Sequence, residues 1–110
     1  MALILSYFEQ TNKYREEYGD KTIVLMMVGS FYEMYGEKSS KGVISGSKIE
    51  EISKICDLAI AQKTGTNVMA GFTYTKIDKY LKKIQDAGYT TIVIKQDPTN
   101  PKISTETEFT

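Results

Sequence analysis

One hundred and ten residues suffice for one hydrophobic core and are too few for two domains of ordinary size. The 41% hydrophobic and 25% charged fractions belong to an ordinary globular chain and exclude a wholly disordered or collagen-like one. Fourteen basic residues balance fourteen acidic ones, so no whole-molecule field draws in a polyanion, and any such binding has to come from local patches or neighbouring domains.

In chain order, Leu3, Tyr7, Tyr14 and Tyr18 recur on one helical face with Ile4, Phe8 and Thr11 beside them, and Gly19 follows as a C-terminal cap. One amphipathic helix is predicted. Thr22 to Val28 is a continuous apolar run rich in β-branched residues, the pattern of a strand buried on both faces, ended by Gly29. Ser30 and Glu33 then have capping-box spacing, so the stretch from Ser30 to Gly36 could open a short helix. Glu37 to Ser47 is rich in Lys, Ser and Gly with little periodicity and reads as a mobile surface loop.

Ser47 and Glu50 repeat the capping-box spacing, and Ile49, Ile52, Ile55, Cys56 and Ala59 trace a stripe that predicts a helix from about Lys48 to Leu58. Leu58 to Ala61 and Val68 to Phe72 read as two strands of a hairpin around Gln62 to Asn67. Thr75 and Asp78 open the best-defined helix, with Ile77, Tyr80, Leu81, Ile84 and Ala87 at helical intervals before Gly88. Thr90 to Ile94 is a strand, and the stretch from Asp97 to Thr110, with both prolines, reads as an exit linker. The expected architecture is α/β, a mixed sheet flanked by helices, with a domain over 1–96 and a linker over 97–110.

A lone Cys56 cannot form an internal disulfide, and a chain without His has neither the common zinc ligand sets nor a Ser-His-Asp or Cys-His nucleophile system. An intracellular, reducing compartment is expected, with no cofactor or metal in this domain. The longest apolar run, Ile23 to Val28, is far below the roughly 20 residues that cross a bilayer, so no membrane is expected as a partner.

The informative segment is Val28-Gly29-Ser30-Phe31-Tyr32-Glu33-Met34-Tyr35-Gly36, where a buried strand ends in Gly and delivers three aromatics and a carboxylate at a turn. Read from the residues alone, Phe31 fills the core and Glu33 completes a cap with Ser30, or both face a ligand. Tyr32, Met34 and Tyr35 read as packing for at least two of the three. Lys76, Lys79, Lys82 and Lys83 read as the solvated side of the last helix. Lys38, Lys41, Lys48 and Lys63 are the better phosphate candidates, in or beside loops that could border the Phe31 turn. No Gly-Lys-Ser/Thr phosphate loop is present.

The segment resembles the mismatch-recognition motif of the MutS family of DNA mismatch repair proteins, in which Gly, one further residue and then Phe-Tyr-Glu follow the first buried strand. Met69-Ala70-Gly71-Phe72-Thr73-Tyr74 resembles that family's Met-Ala-Gly-aliphatic-Pro-Tyr segment, and Ile77 to Tyr89 and Ile92 to Gln96 resemble the helix and strand that follow. Order and spacing agree over roughly residues 5 to 97. Ser30 stands where Asp is usual, Thr73 where Pro is common, and the loop from Glu37 to Ser47 has no clear counterpart.

The resemblance implies a domain that binds mismatched double-stranded DNA and does no chemistry itself. It implies that Phe31 wedges from the minor groove beside the mispair and that Glu33 hydrogen-bonds the displaced base; Lys38, Lys41 and Lys63 are expected as DNA contacts from their place in or beside the loops, not from the resemblance. Such a wedge costs a few kcal/mol of unstacking and kinks the duplex, and a mispaired step opens more cheaply, so deformability supplies the discrimination. Protonated, Glu33 could donate to a purine N7; ionised, it could only accept. The resemblance also implies a larger parent protein: further domains of the same chain, a homo- or heterodimer, and a DNA-dependent ATPase that takes ATP and magnesium elsewhere. The rival readings are a resolvase-like metal-dependent nuclease, for which Asp20, Glu33 and Asp57 look too scattered, and a protein-interaction adaptor using the aromatics of 31 to 35.

Overall fold

The computed structural model describes residues 2–95 and 102–107. The chain runs α1 (Ala2–Tyr18), β1 (Thr22–Val28), β2 (Phe31–Lys38), β3 (Ile44–Ser45), α2 (Ile49–Cys56), β4 (Ala61–Thr64), β5 (Asn67–Thr73), a 3-10 turn (Tyr74–Lys76), α3 (Ile77–Asp86), β6 (Thr90–Lys95) and β7 (Lys102–Thr107). The strands form one mixed sheet in the order β4-β5-β2-β1-β6-β7, with β3 paired to the end of β2. β1 and β6 are parallel, joined by a long crossover, and the remaining neighbours are antiparallel. No helix among the described residues is long and apolar enough to cross a membrane.

The expected short helix after Gly29 is a strand instead. Val28 pairs with Phe31 across a two-residue turn, Gly29–Ser30, with the positive φ confined to Gly29 at +59°. That is the pattern of a II′-like hairpin turn, whose twist suits adjoining strands. A Ser30–Glu33 cap would need the chain to coil here, and β2 has two neighbours, β1 and β5, that take up its backbone groups as a strand. The capping-box spacing is therefore coincidental.

Three further boundaries differ from the sequence expectation. The loop from Glu37 to Ser47 is shorter at both ends, because β2 continues to Lys38 and Ile44–Ser45 folds back onto it. The second helix occupies Ile49–Cys56, with Asp57 in the left-handed conformation closing it and Leu58 N–H donating to the Ser53 carbonyl at 2.8 Å. The first strand of the next hairpin is Ala61–Thr64, three residues later than its apolar run suggests. Within the stretch expected to be a linker, Lys102–Thr107 pairs with β6 as an edge strand; 96–101 and 108–110 lie outside the described residues.

The sheet carries helices on both faces. On one, α1 lays Ile4, Tyr7, Thr11 and Tyr14, a buried i, i+3, i+7 stripe, against β1 and β2. The fully buried Tyr7 donates its hydroxyl to the Val24 carbonyl at 2.8 Å and meets the Tyr35 ring edge-on at 5.2 Å. On the other face, Phe72 packs against Tyr80 of α3 at 4.4 Å and against Tyr32 at 6.0 Å. Ile49 of α2 occupies the space that a side chain at Gly36 would fill. Tyr32, Met34 and Tyr35 are all core.

Burial pushes the Tyr7, Tyr35 and Tyr32 hydroxyls above the ordinary tyrosine value of 10.0, and at Tyr35 the neighbouring Glu33 carboxylate adds to the effect. Above about pH 10 the unfolded chain releases these protons and the folded chain keeps them, so the unfolded state binds fewer protons and stability falls as pH rises. We expect tyrosinate absorbance to level off short of the eight tyrosines while the fold persists, and the melting temperature to drop over the same interval. Complete tyrosine titration in still-folded protein would contradict this packing.

Candidate nucleic-acid interface

Side chains alternate along a strand, so Phe31, Glu33 and Tyr35 share one face of β2 and Tyr32 and Met34 the other. Through the register, the first set shares its face with Met26 and Val28 of β1 and with Gly71 and Thr73 of β5. This is the face that α1 covers, but α1 makes its principal contacts with β1 and with β2, where Tyr7 meets Tyr35. Beyond Tyr35, toward the hairpin turn, Phe31 and Glu33 line a depression of about 370 Å³ together with Ala59, Ala61, Met69 and Gly71.

Phe31 and Glu33 sit differently in it. Phe31 is 47% exposed, so the core reading of this side chain fails. Glu33 is 7% exposed, and the Tyr35 hydroxyl donates to its Oε1. A carboxylate this deeply placed needs such a partner, since a buried acceptor left unmade costs on the order of 1–3 kcal/mol. With Oε1 held by Tyr35, Oε2 is the atom left for a ligand in the depression. An apolar ring and a hydrogen-bonding carboxylate thus stand two residues apart, roughly 7 Å along the strand.

The pattern of small side chains around them was not singled out from the sequence. Gly71 pairs with Glu33, and a Cβ built there would lie 2.4 Å from the Tyr32 carbonyl oxygen and 3.3 Å from Glu33 Cα. Only glycine lets β5 approach β2 this closely. Ala59 and Ala61 keep the remaining wall low. The available signal was the run of small residues inside an otherwise alternating strand.

The lysines do not border the Phe31 turn. Lys38 ends the strand that Phe31 begins, roughly 23 Å away, and its odd offset of seven residues sends it to the opposite face. Lys41 lies in the loop after Lys38, and Lys63 on β4 sits near Asn67 and Val68, the end of β5 farthest from Phe31. Lys48 is engaged elsewhere, 2.9 Å from Asp20 and 3.6 Å from Glu51. Asp20, held by Lys48 and by Arg15, has its carboxyl below the ordinary value, and Asp20 in turn raises Lys48. Among the described residues no three of His, Cys, Asp or Glu gather as a metal site, so Asp20, Glu33 and Asp57 are not brought together.

A family model described as MutS domain I matches residues 6–109. The chain belongs to the MutS domain I family. It is similar to proteins named DNA mismatch repair protein MutS: 33% identical over 93% of this chain to that of Petrotoga mobilis, and 37% over 78% to that of Parabacteroides distasonis. That of Fervidobacterium nodosum is 28% identical over 98% of the chain. The chain spans about a tenth of the length of these relatives, 9% to 11%. The α/β mixed sheet with flanking helices is the fold expected for MutS domain I.

Because Gly71 sets the spacing of β5 and β2 beside Glu33, Gly71→Ala should destabilise this MutS domain by about 1–3 kcal/mol, the usual range for overpacking. Urea denaturation measures it. A stability change within about 0.5 kcal/mol would mean that the strands are not held this close.

Proposed function

We propose that this domain recognises mispaired duplex DNA, with Phe31 entering the base stack from the minor groove and Glu33 hydrogen-bonding the displaced base. The observation that carries the reading is the shared depression: a half-exposed aromatic at the tip of a hairpin, and a buried carboxylate held by Tyr35 on the same strand face. An exposed aromatic in that position exacts a hydration cost unless a partner covers it, and a base step offers an apolar slot of matching thickness. On this reading the carboxylate, two residues along the same strand face, meets the base that the wedge displaces. Since a wedge reads the ease of unstacking, one Phe serves many mispairs.

On this reading the domain performs no chemistry. The whole protein, as proposed from its relatives' names and length, is an intracellular DNA mismatch repair protein. In it other domains supply a DNA-dependent ATPase with its ATP and magnesium, and a homo- or heterodimer closes around the duplex. Zero net charge in this domain fits that division, because the sequence-independent grip on phosphates would come largely from elsewhere.

In the full-length protein, Phe31→Ala should abolish the preference for mismatched over matched duplex and leave affinity for matched duplex within about threefold, since phosphate contacts are untouched. Equal preference in variant and wild type would sink the wedge. Glu33→Gln keeps an acceptor for the Tyr35 hydroxyl and so should fold. It removes a negative charge near the phosphates, so matched duplex should bind more tightly and selectivity should fall even where total binding rises. Competition binding with paired duplexes at two salt concentrations, beside thermal melts, reads both effects. Unchanged selectivity in Glu33→Gln would remove the base contact from the mechanism.

A further inference from the structure

A second depression, of about 420 Å³, lies at the end of the sheet away from Phe31, and the DNA reading leaves it unused. Lys38 pairs with Ile44, Gly36 with Val68, and Val68 with Gln62. Side chains alternate along each strand, so Lys38, Ile44, Val68 and Gln62 share one face, that of Tyr32 and Met34 and opposite to that of Phe31 and Glu33. All four line the depression, together with Ile60 at the entry to β4.

Burial sorts this lining into a floor and a rim. Val68 is buried and Ile44 and Ile60 are half-buried, whereas Lys38, Ser40, Gln62 and Thr66 are exposed. The rim is tied down on both sides. Lys38 N–H donates to the Thr66 carbonyl at 2.8 Å, joining the end of β2 to the β4–β5 hairpin, and Ser39 N–H donates to the Val43 carbonyl at 2.9 Å, closing the loop after β2. Ser39 Oγ accepts from Val43 N–H at 3.1 Å in the same loop. A pre-formed depression of this size is in the range of pockets that hold ligands. β4 is the outermost strand on this side of the sheet and all four of its residues are exposed, so an extended chain can reach the depression along that edge.

The charge around it has one sign. Lys38 lines the depression, Lys41 follows Ser40, and Lys63 follows Gln62. None of the three is in an ion pair among the described residues, in contrast to Lys48 and Lys82. The neighbouring carboxylate, Glu37, alternates to the other face of β2 and accepts from Thr66 Oγ1 at 3.4 Å. We infer that this depression docks an acidic peptide segment of a partner protein, with an aliphatic side chain on the Ile44–Ile60–Val68 floor and carboxylates against Lys38, Lys41 and Lys63. An aliphatic floor releases water when a Leu or Ile covers it, and nucleic acid carries no such side chain. A base seated there would find no aromatic ring in the lining to stack on. The unpaired lysines select and steer a partner of opposite charge. The inference stands apart from the wedge reading, because a duplex that meets Phe31 meets the other face and the other end of the sheet.

The test uses the full-length protein and a fluorescein-labelled peptide in which a Leu-Ile pair is flanked on both sides by Glu and Asp, read by fluorescence anisotropy. The double variant Lys38→Glu, Lys63→Glu should weaken binding about tenfold or more, and Lys38→Arg, Lys63→Arg, which keeps the charges, should bind within about twofold of wild type. Lys79→Glu, Lys83→Glu makes the same charge change on α3 and should also stay within about twofold, which separates the site from the overall field. Replacing the Leu-Ile pair of the peptide by two serines should cost about tenfold, since the floor then stays uncovered. Saturating mismatched duplex should leave the peptide bound. Thermal melts of each variant identify any that fail to fold.

No binding of the acidic peptide by wild type, or equal binding by wild type and a folded Lys38→Glu, Lys63→Glu protein, overturns the inference. Equal binding of the serine peptide would mean that charge alone acts and the floor is not a docking site. Displacement of the peptide by duplex would hand the lysines to DNA and overturn the inference equally. Phe31→Ala should bind the peptide as wild type does, so that loss of the wedge reading and loss of this one are told apart in the same assay.

Discussion

The two-residue turn at Gly29–Ser30 is the constraint on which the rest of the molecule depends. It joins β1 to β2 with Val28 opposite Phe31, and that register decides which side chains of the aromatic segment face which layer. A slip of one residue would reverse every assignment, because side chains alternate with period two. Tyr32 and Met34 would leave the Phe72–Tyr80 side of the sheet, and Phe31, Glu33 and Tyr35 would turn into it together, taking Tyr35 away from Tyr7. A glycine at the first turn position makes the register inexpensive, since its φ of +59° carries no Cβ penalty.

The second determinant is the uneven cover of the sheet. α1 is anchored through Tyr7 to Val24 and Tyr35, and so lies over β1 and the adjoining part of β2. The same strand face, continued toward the hairpin tip and across β5 and β4, is lined by Gly71, Ala59 and Ala61, and there Phe31 is half exposed. The packed core and the open depression are divided along a single strand. Tyr35 belongs to both halves: its ring closes the core beneath α1, and its hydroxyl holds the carboxylate that faces the depression. Burial keeps that hydroxyl protonated, so it remains a donor to Glu33 throughout the physiological range.

Charge placement follows the same geometry. With no net charge to spend, the domain can contribute to a polyanion interface only through where its cations stand. The sheet carries Lys38, Lys41 and Lys63 to the end opposite the hairpin tip, roughly a strand length away. Lys48 is committed to Asp20 and Glu51, tying the start of α2 to the turn after α1.

Local pattern alone was enough for most elements: the helix ending at Gly19, the buried strand from Thr22, the hairpin around Gly65, the helix ending at Gly88 and the strand from Thr90. Each rests on interactions within a few residues, on periodicity or on a glycine at a helix end or turn. The order and spacing of the Gly-Ser-Phe-Tyr-Glu and Met-Ala-Gly segments were likewise sufficient to point to MutS. Where the chain turns after Gly29 was not legible, because Ser30 and Glu33 satisfy a helix start locally. Only the backbone groups of β1 and β5, one of them some forty residues away, make a strand the lower free-energy state. The same is true of the lysines: sequence proximity put Lys38 near Phe31, but an extended strand carries it roughly 23 Å off and onto the other face. Long-range strand pairing, which no local window contains, decided what stands beside Phe31.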